Sequence, residues 1–129
     1  MIYLYCDGAS KGNPGPSSIG VLATDENSQT LFEISEQIGN ATNNVAEWTA
    51  LQSGIEKAIE LGHLELSCFL DSELVVKQMN GVYKVKDTNL KFLHTKVKAL
   101  VLQLKRFEIQ HVPREKNKLA DALANKAFT

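Results

Sequence analysis

The chain has 129 residues, of which 43% are hydrophobic and 22% charged, with a formal net charge of −1. This is the size and composition of one soluble globular domain, with no room for a second independent core. A chain this long buries about two-thirds of its unfolded surface, so any metal would serve chemistry rather than folding.

Other classes are excluded by short segments. Met1–Cys6 is too short and uncharged for a signal peptide and is interrupted by Asp7. The apolar stretch Ala99–Leu104 is broken by Gln103 and is far below membrane-spanning length. Cys6 and Cys68 each sit in an apolar run and lack the close pairing of a zinc or redox motif, so they read as buried thiols. A reduced, cytoplasmic, monomeric protein with no membrane association is the expectation.

The small net charge conceals a segregation. Residues 1–76 carry two basic against eleven acidic side chains, a net of −9, whereas residues 77–118 carry eleven basic against three acidic, a net of +8. A polyanionic partner on the basic side fits this pattern.

In chain order, Met1–Asp7 alternates as a strand, with Ile2, Leu4 and Cys6 on one face and Tyr3, Tyr5 and Asp7 on the other. Gly8–Gly15 reads as a turn-rich stretch. Ile19–Thr24 and Thr30–Ile38 follow as strands in an antiparallel meander. From Asn44 to Leu61 the apolar residues Trp48, Leu51, Ile55, Ala58 and Ile59 recur at helical spacing; Asn44 and Glu47 mark the start and Gly62 the stop. Leu64–Leu70 is a central strand, and Ser72 caps a short helix to Met79. Asn89–Lys105 is a longer helix, Phe107–Val112 a fifth strand, and Asn117–Phe128 a last helix with Leu119, Leu123 and Ala127 on its apolar side. The order βββαβααβα predicts an α/β layered domain, residues 1–129 forming one unit.

Four carboxylates fall at privileged places. Asp7 and Asp71 end strands, where open α/β sheets bind ligands, and Glu47 and Asp121 lie near helix starts. Clustered, they could not all stay ionised without cations, and hard oxygen donors suit Mg²⁺, with Mn²⁺ as a substitute. Taken singly, each also reads as an ordinary cap or strand-end acid.

Four segments carry a family resemblance. Tyr5–Pro16 (YCDGASKGNPGP), Thr42–Glu47 (TNNVAE), Leu70–Val75 (LDSELV) and His111–Asp121 (HVPREKNKLAD) resemble, in order and spacing, the motifs of ribonuclease HI. The resemblance covers residues 1–128. It implies a ribonuclease H-like fold, a five-stranded mixed sheet flanked by helices, and hydrolysis of the RNA strand of RNA–DNA hybrids by two metal ions to 5′-phosphate and 3′-hydroxyl ends. It further implies that Asp7 bridges both ions, Glu47 and Asp71 hold the leaving-group ion, and Asp121 holds the ion that activates water. His111 takes the place of a loop histidine assisting proton transfer or product release. Asn13, Asn43, Asn44 and the backbone of Gly8–Ser10 would meet sugars, Thr42 a DNA phosphate, and Arg114 the substrate. For Asn43 and Asn44 the residues alone allow helix capping as well. Reading 2′-hydroxyls and backbone shape implies little sequence preference.

The chain departs from longer relatives. Gly81–Thr88 holds only Lys84 and Lys86 where they carry a basic protrusion; Lys91, Lys96, Lys98 and Lys105 on the next helix are partial substitutes. Asn40 stands where many relatives have a basic residue, and Glu73 where some have an amide. Weaker, more salt-sensitive hybrid binding is the expectation. Three other readings remain: a broader nuclease that also cuts double-stranded RNA, a non-catalytic nucleic-acid-binding module, and a piece of a larger multidomain protein.

Overall fold

The computed structural model describes residues 1–129. Five strands, β1 (Ile2–Ser10), β2 (Gly15–Thr24), β3 (Thr30–Ala41), β4 (Glu65–Leu70) and β5 (Arg106–His111), form one sheet in the order β3-β2-β1-β4-β5. The first three pair antiparallel, while β4 and β5 add parallel to β1. The helices are α1 (Asn43–Glu60), α2 (Glu73–Met79), α3 (Thr88–Val101) and α4 (Lys118–Lys126), with a 3₁₀ turn at Arg114–Lys116. The predicted element order and mixed sheet are those observed.

The strands run longer than alternation indicated. β1 continues past Asp7 through the presumed turn, because Gly8, Ala9 and Ser10 pair with Ile19, Ser18 and Ser17. The turn itself shrinks to Lys11–Pro14, closed by the Lys11 N–H donating to Pro16 C=O at 2.7 Å. Polar residues at the strand end obscured this, since backbone pairing leaves no hydrophobic signature where both faces are polar.

One face of the sheet carries α1. Leu4, Cys6 and Val21 lie within van der Waals reach of Gly54, and Leu51, Ile55 and Ala58 on the same helix are fully buried. Leu51 and Ile55 each contribute about 1.5–3 kcal/mol by burial. Trp48 is fully buried too, so its indole N–H needs a partner; Gln78 Oε1 on α2 accepts it at 3.0 Å. Left unpaired, that donor would cost about 1–3 kcal/mol. α3 packs on α1, and its His94 meets the Trp48 ring edge-on at 5.5 Å.

The opposite face carries α4. It buries Ala120, Leu123 and Ala124, not Leu119, which is 66% exposed. Small residues win there because α4 lies directly on backbone: a Cβ on Gly20 would sit 2.2 Å from Ala120 O. No helix is long and apolar enough to cross a membrane.

Candidate active site

Asp7 and Asp71 come together through strand register. Cys6 pairs with Leu70 at the last position of the parallel β1–β4 ladder, so Asp71, the residue after β4, falls beside Asp7, which stays paired with Gly20 inside β1. Both carboxylates therefore lie side by side where β4 ends against β1.

Two glycines admit the others. A Cβ on Gly8 would lie 2.3 Å from Ala46 C and 2.4 Å from Glu47 N, so only glycine lets the first turn of α1 rest on the strand. Glu47 then reaches back, and its Oε1 accepts the Gly8 N–H. Gly20, the register partner of Asp7, does the same for α4 on the other face, which sets Asp121 beside Asp7. The helix starts are thus positioned by missing side chains rather than by side-chain contacts.

One oxygen from each of Asp7, Glu47 and Asp71 lies within 4.8 Å of the others. Asp7 and Glu47 are only 5% and 7% exposed. Burial, followed by the charge of Glu47, pushes the Asp7 carboxyl far above the ordinary carboxylate range; Asp71 and Asp121 add to the rise. Burial also raises Glu47, against the pull of its hydrogen bonds with Asp7 and the Gly8 N–H. Glu47 Oε2 is buried with no hydrogen-bond partner. Crowded anions and an orphaned buried oxygen are what a divalent cation would relieve, so the donor set fits a hard metal ion.

Asp121 joins these three in a cleft of about 530 Å³ that also contains Gly8, Ser10, Asn43, Asn44 and Arg114. Arg114 is the only cation lining it, with Nη2 3.9 Å from Asp121 Oδ1. His111 ends β5 in register with Leu70 and is exposed; it is not among the residues that line the cleft. Asn13 stands behind the cleft, its Oδ1 accepting the Asn43 N–H at 3.0 Å. Thr42 lines a neighbouring groove with Asn40, Val45 and Asn89. It is also the cap of α1, accepting the Val45 N–H at 3.2 Å, so the capping reading of Asn43 and Asn44 is corrected: both are inside the helix.

Two lining residues escaped sequence reasoning. Ser72 caps α2 and faces the cleft. Asn125 lies one helical turn after Asp121, whose carbonyl its Nδ2 meets at 3.0 Å. The i,i+4 spacing from a candidate carboxylate was the signal available for Asn125.

An antiparallel-then-parallel five-stranded sheet with carboxylates converging at its central strand ends is the architecture of a ribonuclease H-like domain. Residues 5–127 match the family model described as reverse transcriptase-like. The bifunctional protein Rv2228c of Mycobacterium tuberculosis is 44% identical over 98% of this chain, and the chain spans only 35% of that relative's length. Ribonuclease HI of Halobacterium salinarum is 38% identical over 98% of this chain and 64% of its own. The crystal structure of LC11-RNase H1 in complex with an RNA/DNA hybrid superposes with a TM-score of 0.94 at 44% identity, covering 98% of this chain and 96% of that one. The chain belongs to the ribonuclease HI family.

Proposed function

We propose that this chain hydrolyses the RNA strand of RNA–DNA hybrids at the Asp7–Glu47–Asp71–Asp121 cleft, using two Mg²⁺ ions, with Mn²⁺ as a substitute. The observation that carries the reading is the convergence of three carboxylates within 4.8 Å around the unpartnered Glu47 Oε2. The kinship with LC11-RNase H1, solved with such a hybrid, supports the substrate.

Asp7, Glu47, Asp71 and Asp121 would hold the ions. Bound there, they would lower the pKa of the attacking water and stabilise charge on the departing 3′ oxygen. Hydrolysis adds the water oxygen to phosphorus, breaks the bond to the 3′ oxygen, and leaves a 5′-phosphate and a 3′-hydroxyl. Gly8 fixes the Glu47 carboxylate through its N–H. Arg114, free to swing at 80% side-chain exposure, offers a fork of donors to a phosphate entering the cleft. Asn43 and Asn44, which line the cleft from α1, would meet sugar hydroxyls. Thr42 in the adjoining groove would take a phosphate of the DNA strand. His111, in register with Leu70 beside Asp71, would assist proton transfer or product release. The buried free thiols Cys6 and Cys68 support a reducing compartment, and we place the protein in the cytoplasm as a monomer.

The test is a substrate panel: end-labelled RNA–DNA hybrid, double-stranded RNA, single-stranded RNA and double-stranded DNA, each with Mg²⁺, with end-group analysis of products. Cutting of the hybrid's RNA strand to 5′-phosphate ends is expected. Equal cutting of double-stranded RNA would replace hybrid specificity with a broader nuclease. Binding of hybrid without cutting in either Mg²⁺ or Mn²⁺ would leave a binding module.

A further inference from the structure

Asn117 occupies a helix-capping position and does not cap. Asparagine is among the strongest N-cap residues because its side-chain oxygen accepts an N–H of the first turn. Asn117 stands at the N-cap of α4, yet its side chain makes no capping bond. It is 1% exposed, and its Nδ2 instead donates to the Cys6 carbonyl at 2.9 Å, across 111 residues of sequence. Its Oδ1 is buried with no partner. Forgoing a cap and burying an unpaired oxygen both cost stability. A local rule broken without a local gain points to a functional demand.

The bonds of Asn117 show what that demand is. Cys6 is the residue before Asp7. The Asn117 carbonyl accepts the Asp121 N–H at 3.1 Å, and the Asn117 N–H donates to the Arg114 carbonyl at 2.9 Å. The backbone of residue 117 thus joins the helix turn bearing Asp121 to the 3₁₀ turn bearing Arg114, as any residue there would, and the asparagine side chain alone ties that junction to the β1 segment bearing Asp7. Ser18 and Ser35 Oγ donate to the Ala124 and Leu123 carbonyls at 2.5 and 2.6 Å and hold the C-terminal half of α4, but at its start the other contact is the apolar Ala120, and burial of that kind is non-directional. A hydrogen bond to a strand carbonyl is directional, and it fixes where along the sheet the helix starts.

Resting on the two-ion reading above, we propose that Asn117 is a positioning residue for catalysis, a clamp that sets the separation of the Asp7 and Asp121 carboxylates. It touches neither ion nor substrate in this role. Its effect is on how well the two acids share a cation.

The test uses Asn117→Ser, which keeps a capping side chain but is too short for the Cys6 carbonyl, beside Asn117→Ala. Three quantities are measured: melting temperature, kcat and KM on hybrid, and Mn²⁺ affinity of the substrate-free protein by calorimetry. The Ser variant is expected to melt near the wild type. Its kcat should fall about tenfold to a hundredfold with KM nearly unchanged, and its Mn²⁺ affinity about tenfold. Raised Mn²⁺ should recover part of kcat. If Asn117→Ala unfolds, the Ser variant decides. A folded Ser variant with wild-type kcat and Mn²⁺ titration overturns the proposal, as does a loss of kcat that only follows the folded fraction. Should the wild type itself neither bind Mn²⁺ nor cut hybrid, the functional reading fails first and takes the clamp with it.

Discussion

Replacing Gly8 with alanine adds one methyl group at the tightest point of the site. Gly8 is not among the glycines with positive φ, so alanine strains no dihedral there. Space is the whole issue. The new Cβ would meet Ala46 C at 2.3 Å, Glu47 N at 2.4 Å and Ala46 O at 2.6 Å, all backbone atoms that no rotamer change can move. Carbon contacts relax only beyond roughly 3.5 Å, so the start of α1 must retreat by about 1 Å. Overpacking of this kind costs about 1–3 kcal/mol. The same retreat draws Glu47 away from Asp7 and stretches the Gly8 N–H bond to Oε1. A 1 Å misplacement in an active site costs on the order of a hundredfold in rate. Urea unfolding and kcat/KM on hybrid, measured where the variant is folded, should show both losses. Gly39→Ala is the control: Gly39 has φ +82° and open space around it. It should lose about 1 kcal/mol through backbone strain and keep wild-type kcat. A Gly8→Ala protein with wild-type stability and rate would refute the claim that this glycine seats Glu47.

Other perturbations test different parts of the site. Burial and mutual repulsion raise Asp7 and Glu47 in the folded state, so the fold holds protons that the unfolded chain releases. Metal-free stability should therefore be greatest below the unfolded carboxylate pKa of about 4 and fall as pH rises toward the folded values. Melting curves in chelator should show this loss, Mg²⁺ should reverse it, and Asp7→Asn should raise the metal-free melting temperature at pH 8. Arg114→Ala should slow hybrid cleavage by about tenfold, as the loss of one charge-assisted phosphate contact, and more than His111→Ala, since Arg114 lines the cleft; steady-state kinetics giving the reverse order would restore the histidine. Hybrid affinity should be weaker and lost at lower salt than in a protrusion-bearing homologue, because Gly81–Thr88 supplies only Lys84 and Lys86; equal affinity at matched salt would contradict this.

Most of the architecture was legible in the sequence because it rests on periodic burial. Alternation in Ile2–Cys6 and the helical recurrence from Trp48 to Ala58 both report a core-facing side, and both elements formed. Strand ends were less legible: β1 runs on to Ser10 on backbone pairing alone. Capping was misassigned within a run of three capping-competent residues, Thr42, Asn43 and Asn44, where only geometry selects Thr42. The face of α4 was misread for a related reason. Large residues signal a core face, but a helix laid on Gly20 must present alanines there, which leaves Leu119 outside. The carboxylates could be nominated from their strand-end and helix-start contexts. Their convergence could not, since it depends on the Cys6–Leu70 register and on two glycines, Gly8 read as a turn residue and Gly20 as an ordinary strand position. Asn117 was legible only as the first residue of the last helix, and nothing in the sequence pointed to its bond with the Cys6 carbonyl.

The central claim is that these carboxylates hold divalent ions that cut the RNA of a hybrid. It is met most directly by timing cleavage of an end-labelled RNA–DNA hybrid by wild-type and Asp71→Asn protein, with Mg²⁺ and with chelator. The wild type should cut in Mg²⁺ alone, with the folded Asp71→Asn variant and the chelated wild type both at background. Undiminished cutting in chelator, or by Asp71→Asn, would contradict it.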